Sequence, residues 1–301
     1  MAGRHRSATG VHIAGRVVRV VELERRRHGL VLRGMAEDEL EQSVDPFTLG
    51  HGEGVTEVVE ALRALADQAE LEMRRVCVAL DRRAYLLKQR PRLQAGARGR
   101  RALRAERRHL MWEAGTFLGD QLPGFCVDCA VARGCGFIVA ARRQVLDGYA
   151  ALFARLGVPD LDFDLEPFAL HNAAEAAGVL AGGGTRVLLS LEDESTCLLR
   201  VEEGGVAEVR LTSGDGESGA SQVERAMRCL AAAAPVENAA GIWVAARQAE
   251  AVSAELAKRL DVSCAPLSVL LAVASDTETG PSPDEATFAV AAGLALRRLG
   301  G

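Results

Sequence analysis

Residues 137–175 read FIVAARRQVLDGYAALFARLGVPDLDFDLEPFALHNAAE, and the order of elements in this stretch decides the fold. Residues 137–141 form a short apolar run that predicts a strand. Val145, Leu146, Tyr149, Leu152, Phe153 and Leu156 then recur at helical spacing, and Gly157 and Pro159 end that helix. Residues 161–165 alternate apolar and acidic like a half-buried strand. Pro167 follows at a position where proline opens a helix. Strand, helix, turn, strand, helix is the pattern of an α/β protein.

Working outward, the N-terminal side reads as a β-meander. Residues 10–14 and 16–23 predict a hairpin closed at Ala14-Gly15, and residues 30–35 a third strand after His28-Gly29. Residues 37–54 form an acidic connector, and Val55, Val58, Val59, Leu62 and Leu65 mark an amphipathic helix. Residues 76–80 and 84–87 predict strands. Residues 90–108 are basic and glycine-interrupted, and run into a helix that Pro123-Gly124 ends. A second half begins at Gly182-Gly183-Gly184 with strands at 186–191, 196–201 and 206–211. A helix at 222–233, a strand at 241–245, a helix at 248–260, a short strand at 262–264 and a helix at 284–298 complete it. Both halves open on a meander followed by helix and strand.

The chain has 301 residues, 49% hydrophobic, 26% charged and 4% aromatic, enough for two domains with separate cores. A net charge of −5 gives no global case for a nucleic-acid protein. No apolar run approaches the roughly 20 residues that span a bilayer. Residues 1–10 carry positive charge without an apolar stretch behind it, unlike a signal peptide. A cytoplasmic protein is expected. The seven cysteines are scattered. Cys126, Cys129 and Cys135 resemble a metal knuckle, but a zinc site needs a fourth ligand and the nearest histidines are His109 and His171. Buried or half-buried thiols are the expectation, with no metal.

Four segments carry a resemblance. Residues 137–175 hold a strand end AARR and a helix EPFAL in order. Residues 108–132, RHLMWEAGTFLGDQLPGFCVDCAVA, are similar to a helix–strand passage "WEAEQYIPF". Residues 10–23, GVHIAGRVVRVVEL, match an opening "GIDIGSSSVKAVEL" at Gly10, Ile13, Val18, Val21, Glu22 and Leu23. Residues 284–300, DEATFAVAAGLALRRLG, look like a closing "DPAAFAVALGLALR" helix. In this order the segments resemble the PilM family of type IV pilus assembly proteins, in the actin-like ATPase superfamily. The resemblance implies a two-lobed actin-like α/β fold of duplicated ribonuclease-H-like domains. Residues 8–50, 158–181 and 284–300 would form the first lobe, 51–157 an inserted subdomain of the PilM/FtsA type, and 185–283 a second lobe whose own subdomain is reduced or missing.

Actin-like ATPases hold phosphates between two hairpins, with glycines for backbone approach and an acid on each for Mg²⁺ or water. Here the first-hairpin pattern D-I-G-S-S falls on His12, Ile13, Ala14, Gly15 and Arg16. The second, D-I-G-A, falls on Ser190, Leu191, Glu192 and Asp193. Both acids and the key glycines are replaced. Glu192, Asp193 and Glu194 would face a triphosphate, each like-charge contact costing on the order of 1–4 kcal/mol. They read as a solvated acidic turn, and Arg16 as a surface arginine. The glycine-rich adenine turn falls on Ala245, Ala246, Arg247 and Gln248. A pseudo-ATPase without cofactor is expected, with Mg-ATP as the alternative.

Other features are weaker. Residues 214–219, GDGESG, lack the Lys-Ser/Thr ending of a P-loop and suggest a turn, with Ser218 or Ser221 capping the next helix. Asp162, Asp164 and Glu166 read as a solvent-facing strand edge, with cation binding as the alternative. Arg98, Arg100, Arg101, Arg104, Arg107 and Arg108, with Arg90 and Arg92 before them, form a patch for anionic lipid, an acidic partner or solvent. The resemblance implies an adaptor binding the cytoplasmic tail of a PilN-like inner-membrane protein, in a groove beside the inserted subdomain. Other pilus assembly proteins, peripheral inner-membrane association through partners, and self-association belong to the same expectation. The alternatives are a nucleotide-binding ATPase with atypical loops and an FtsA-like or GspL-like scaffold.

Overall fold

In the computed structural model, the residues described are 6–50, 54–92, 99–132, 135–213, 221–233, 239–270, 273–275 and 284–300. The first half holds strands β1 (Arg6–Ala14), β2 (Val17–Arg26), β3 (Gly29–Glu39), β4 (Arg75–Leu80), β5 (Tyr85–Pro91), β6 (Phe125–Val131), β7 (Cys135–Arg142) and β8 (Asp160–Leu165). Its helices are α1 (Gly54–Gln68), α2 (Arg100–Leu118), α3 (Arg143–Arg155) and α4 (Glu166–Ala176). The second half holds β9 (Thr185–Leu191), β10 (Ser195–Glu202), β11 (Gly205–Ser213), β12 (Ala239–Ala246), β13 (Cys264–Pro266) and β14 (Ala274–Ser275), with α5 (Gln222–Ala232), α6 (Ala249–Leu260) and α7 (Ala289–Gly300).

The opening hairpin pairs Ala14 with Val17, so Gly15 and Arg16 form a two-residue loop. Gly15 sits at φ +60°, the left-handed conformation such loops favour. The first sheet runs β14-β3-β2-β1-β4-β8, the second β11-β10-β9-β12-β13, and a small third sheet β5-β7-β6. Each large sheet combines an antiparallel meander with parallel strands reached through helices. Among the described residues the second half adds no further sheet. This is the duplicated α/β pattern that the sequence suggested.

Helices α4 and α7 lie between the two large sheets. A core of Ala169, Leu170, Ala291 and Leu294 from the helices joins Val21 and Leu23 of one sheet to Leu188 and Leu199 of the other. Close approach explains two glycines. A Cβ on Gly10 would stand 1.8 Å from the Ala291 carbonyl, and one on Gly293 1.9 Å from that of Ala169. The matches in the opening and closing motifs thus mark where α7 rests on β1 and on α4.

Three expectations change. The unit expected at 51–157 is smaller as a sheet, because β4 pairs with β1 and β8 in the first sheet. Val58 and Leu62 of α1 and Tyr149 and Leu152 of α3 share one apolar core with Val11 and Val18, so both helices pack with that sheet. β5–β7 form their own sheet with α2 against it, while Tyr85 and Ala141 still reach the core of the first sheet. The strand expected at 262–264 forms two residues later, and β14 was not foreseen because two residues carry no periodicity. The last helix opens with a 3-10 turn at Glu285–Phe288. No described helix is long and apolar enough to cross a membrane.

Candidate functional site

Two concave regions stand at the places the sequence points to. The first is a cleft of about 430 Å³ between the hairpins, lined by His12, Gly15, Asp81, Arg82, Glu166 and Glu194 among others. Antiparallel register creates it. His12 on β1 lies opposite Arg19 on β2, and Arg19 lies opposite Glu37 on β3, so the three form one row across the sheet. The turn between β9 and β10 then delivers Glu192 to the same row.

Arg19 is 2% exposed. Its Nε donates to Glu37 Oε2 at 2.5 Å and its Nη1 to Glu192 Oε1 at 2.7 Å. Burial works against the guanidinium charge, and the two carboxylates outweigh it, so the Arg19 pKa is raised. Glu192 Oε1 also lies 3.8 Å from His12 Nδ1. Burial, helped by the Arg19 charge, pushes the His12 imidazole down to about 3, so the ring is neutral. Arg247 Nη2 donates to Glu37 Oε1 at 2.8 Å, and Arg225 Nη1 donates to the carbonyls of Glu192 and Asp193, each at 2.5 Å.

The expected solvated turn is therefore corrected for Glu192, which is buried because Arg19 offers it a partner in the first lobe. Asp193 and Glu194 are exposed. Glu194 covers the first hairpin, its Cδ 3.0 Å from where a Gly15 Cβ would stand. Arg16 is exposed, donates from Nε to the Leu40 carbonyl at 2.9 Å and pairs with Glu39 at 3.4 Å. Ala14 lines the cleft, while Ser190 and Ala246 are buried. Gln248 adopts φ +54° after β12, so that turn keeps a left-handed residue without glycine.

Glu166 also departs from its expectation. As the first residue of α4 it leaves the alternation of β8 and turns into the cleft, where it is buried. Burial pushes its carboxyl up to about 7; the Ser190 hydroxyl tempers the rise. Among the described residues, neither Glu166 Oε1 nor Ser190 Oγ has a partner in hydrogen-bonding geometry. Asp81, after β4, accepts from the Arg83 backbone N–H at 2.7 Å and from its guanidinium at 3.0 Å. Arg19, Glu37 and Asp81 escaped the sequence reading, and Glu166 was read only as part of a strand edge. An arginine inside the apolar run VVRVVEL was the available signal for Arg19.

The second region is a groove of about 350 Å³ between the edge strands β6 and β8. Val127, Ala130, Leu146, Phe163, Leu165 and Phe168 give it an apolar lining, with Asp128, Asp164, Asn172 and Arg297 at the polar positions. The acidic side of β8 is not simply solvent-facing, because Arg298 pairs with Asp160 and Asp162 and Arg297 Nε lies 3.4 Å from Asp164 Oδ2. Burial pushes the Asp164 carboxyl up to about 6, against a hydrogen bond from the Leu165 N–H.

Cys126 and Cys129 sit on β6 and Cys135 on β7, where Cys135 Sγ donates to the Val206 carbonyl at 3.1 Å. Among the described residues no group of three or more His, Cys, Asp or Glu could hold a metal. Ser221 caps α5 in a capping box with Glu224, as the sequence allowed. Residues 214–219 and Arg98 lie outside the described residues. Arg100, Arg101, Arg104, Arg107 and Arg108 are exposed along α2.

No family model matches the sequence, and no curated protein matches it. Among solved structures, the PilM–PilN type IV pilus biogenesis complex matches with a TM-score of 0.72 at 19% identity, over 97% of this chain and 98% of that one. The chain has a PilM-like, actin-like fold. The ethanolamine utilization protein EutJ from Carboxydothermus hydrogenoformans matches with a TM-score of 0.50 at 12% identity, over 97% of this chain and 89% of that one. A Bacteroides thetaiotaomicron protein described as having an actin-like ATPase fold matches with a TM-score of 0.47 at 10% identity, covering 86% and 90%. In this actin-like chain, the hairpins that would flank phosphates are joined to each other by side chains.

Proposed function

We propose that this chain is a cytoplasmic adaptor of a type IV pilus or related secretion machine that binds the cytoplasmic tail of a PilN-like inner-membrane protein and does not turn over ATP. The observation that carries the proposal is the groove between β6 and β8. Two sheet edges line it, and an edge strand offers unpaired N–H and C=O groups to an extended peptide while apolar pockets receive alternate side chains. The solved relative is itself a complex of PilM with PilN. Association with the inner membrane then follows from the partner. The pseudo-ATPase part is supported by Arg19, whose charge is neutralised by Glu37 and Glu192 and is not free for a phosphate.

The test is titration of a fluorescent peptide, the cytoplasmic tail of a PilN-like one-span membrane protein from the same genome, against the full protein. Saturable binding is expected. Ala130 is exposed and lines the groove, so Ala130→Trp fills it without disturbing the core. Its expected effect is at least a tenfold loss of affinity, about 1.4 kcal/mol, with Tm unchanged. A tail that fails to bind, or that binds Ala130→Trp as well as the parent, removes the groove from the account.

A further inference from the structure

Among the described residues, the buried side chains of helix α2 lie along one side. Leu110, Ala114 and Leu118 are buried, and Leu110 and Ala114 share a small core with Cys129 of β6 and Ile138 of β7. The opposite side follows from helical spacing. Arg101, Arg104 and Arg108 recur at steps of three and four, and Trp112 stands one turn beyond Arg108. Arg100 and Met111 flank this row. Trp112 is 67% exposed, and Leu103 and Met111 are also large apolar residues left in solvent.

Arg107 Nη2 donates to Asp128 Oδ1 at 2.5 Å, yet among the described residues Arg100, Arg101, Arg104 and Arg108 have no carboxylate partner. The protein as a whole carries −5, so such a row is not a consequence of composition.

We propose that the outer face of α2 docks on an anionic lipid bilayer, with the arginines among the headgroups and Trp112 at the boundary with the acyl chains. Charge complementarity selects an anionic occupant, and the exposed indole selects one with a shallow apolar layer beneath its charge. An acidic protein supplies the charge, but it needs a shaped pocket for an indole on a convex helix. A bilayer accepts it anywhere. The acidic remainder of the surface is repelled, which fixes the orientation. Asp128 both holds Arg107 and lines the β6/β8 groove, so docking brings the groove beside the membrane. That last consequence rests on the adaptor proposal; the lipid contact does not.

The test is co-sedimentation of the full chain with phosphatidylcholine vesicles, with and without phosphatidylglycerol, and without any membrane protein. Binding is expected only with phosphatidylglycerol, lost at about 0.5 M salt where screening is short, and accompanied by a blue shift of tryptophan emission. Each arginine near such a surface contributes a factor of about five, so R101A/R104A/R108A lowers the partition about a hundredfold. W112A weakens binding several-fold and removes the blue shift, since Trp243 is partly buried in the second lobe. All four residues are exposed, so circular dichroism and Tm are expected to match the parent. Equal binding to both vesicles, or undiminished binding of R101A/R104A/R108A, overturns the proposal. So does binding to poly-glutamate without binding to vesicles, which assigns the face to an acidic protein. A tail that fails to bind the groove while vesicles still bind breaks the adaptor proposal and leaves this one standing.

Discussion

The cleft between the hairpins and the groove between the sheet edges are similar in size and opposite in character. At the cleft the charges are paired within the chain: Arg83 in its wall holds Asp81, Glu194 covers Gly15, and in the row beside it Arg19 holds Glu37 and Glu192 and Arg247 holds Glu37. In the groove, Asp128 and Asp164 are held by Arg107 and Arg297, and the rest of the lining is apolar side chains between two strand edges. A phosphate site needs donors whose charge is not already neutralised. A peptide site needs unpaired backbone and pockets. The difference lies in where the chain pairs its own charges, and it can be broken at three points besides the groove and the α2 face.

The largest effect is expected at Arg19. Removing one member of a buried ion pair leaves the others charged and unpaired, which costs about 3–5 kcal/mol. Arg19→Ala strands the buried Glu192, while Glu37 keeps Arg247, so urea unfolding should show a loss toward the lower end of that range. A loss below about 1 kcal/mol would place the pair in the range of surface salt bridges. The two lobes would then not be joined through this contact, and the cleft would count as open.

Glu166 gives the next effect, and its sign follows from linkage. Its carboxyl titrates at about 7 in the folded chain, against 4.5 as its ordinary value. Between those values the native state binds more protons than the unfolded state, so stability from this group falls as pH rises. The favourable contribution is present near pH 5 and is gone above pH 7, where a buried carboxylate must carry charge. Glu166→Gln removes the titration. The variant and parent should have similar Tm near pH 5, with the variant ahead at pH 8 by on the order of 1–3 kcal/mol. A difference independent of pH would show that the cleft is wetter there than its burial implies.

Much of this contrast was legible in the sequence, and the illegible part has a common cause. Gly10 and Gly293 were visible in the opening and closing motifs, and each proves to be a close backbone approach. The replaced residues His12, Ala14, Ser190 and Glu192 were found by position in their hairpins. Their new partners were not. Arg19 and Glu192 stand 173 residues apart, and no local period records which buried arginine a turn in the other half will reach. Glu166 was misread for a local reason: the chain changes from period two to 3.6 at Leu165, so the next acid leaves the face of Asp162 and Asp164. The groove could not be read at all. It is lined by the edges of two different sheets, and edge status depends on the order of strands in space.

The smallest expected effect is the response to Mg-ATP. A ligand that binds only the native state stabilises by RT ln(1 + [L]/Kd), so at a concentration equal to Kd the gain is about 0.4 kcal/mol. If the cleft has no free phosphate donor, millimolar Mg-ATP lies below its Kd. A thermal scan should then show a Tm shift of less than about 1 °C, since 1 kcal/mol is worth only about 2–4 °C in a chain of this size. Arg19 is buried in the row beside the cleft, so a phosphate that reaches it must displace Glu192. The phosphate must then supply more charge-assisted hydrogen bonding than the carboxylate it replaces, in the presence of Glu166, Asp81 and Glu194. Glu192→Gln tests the same point from the other side. It weakens the pair without removing the arginine, and it should widen the response to Mg-ATP before any other single change does. If the parent shifts by several degrees and Glu192→Gln shifts no further, Arg19 is not what keeps phosphate out, and the contrast between a filled cleft and an open groove fails at its central contact.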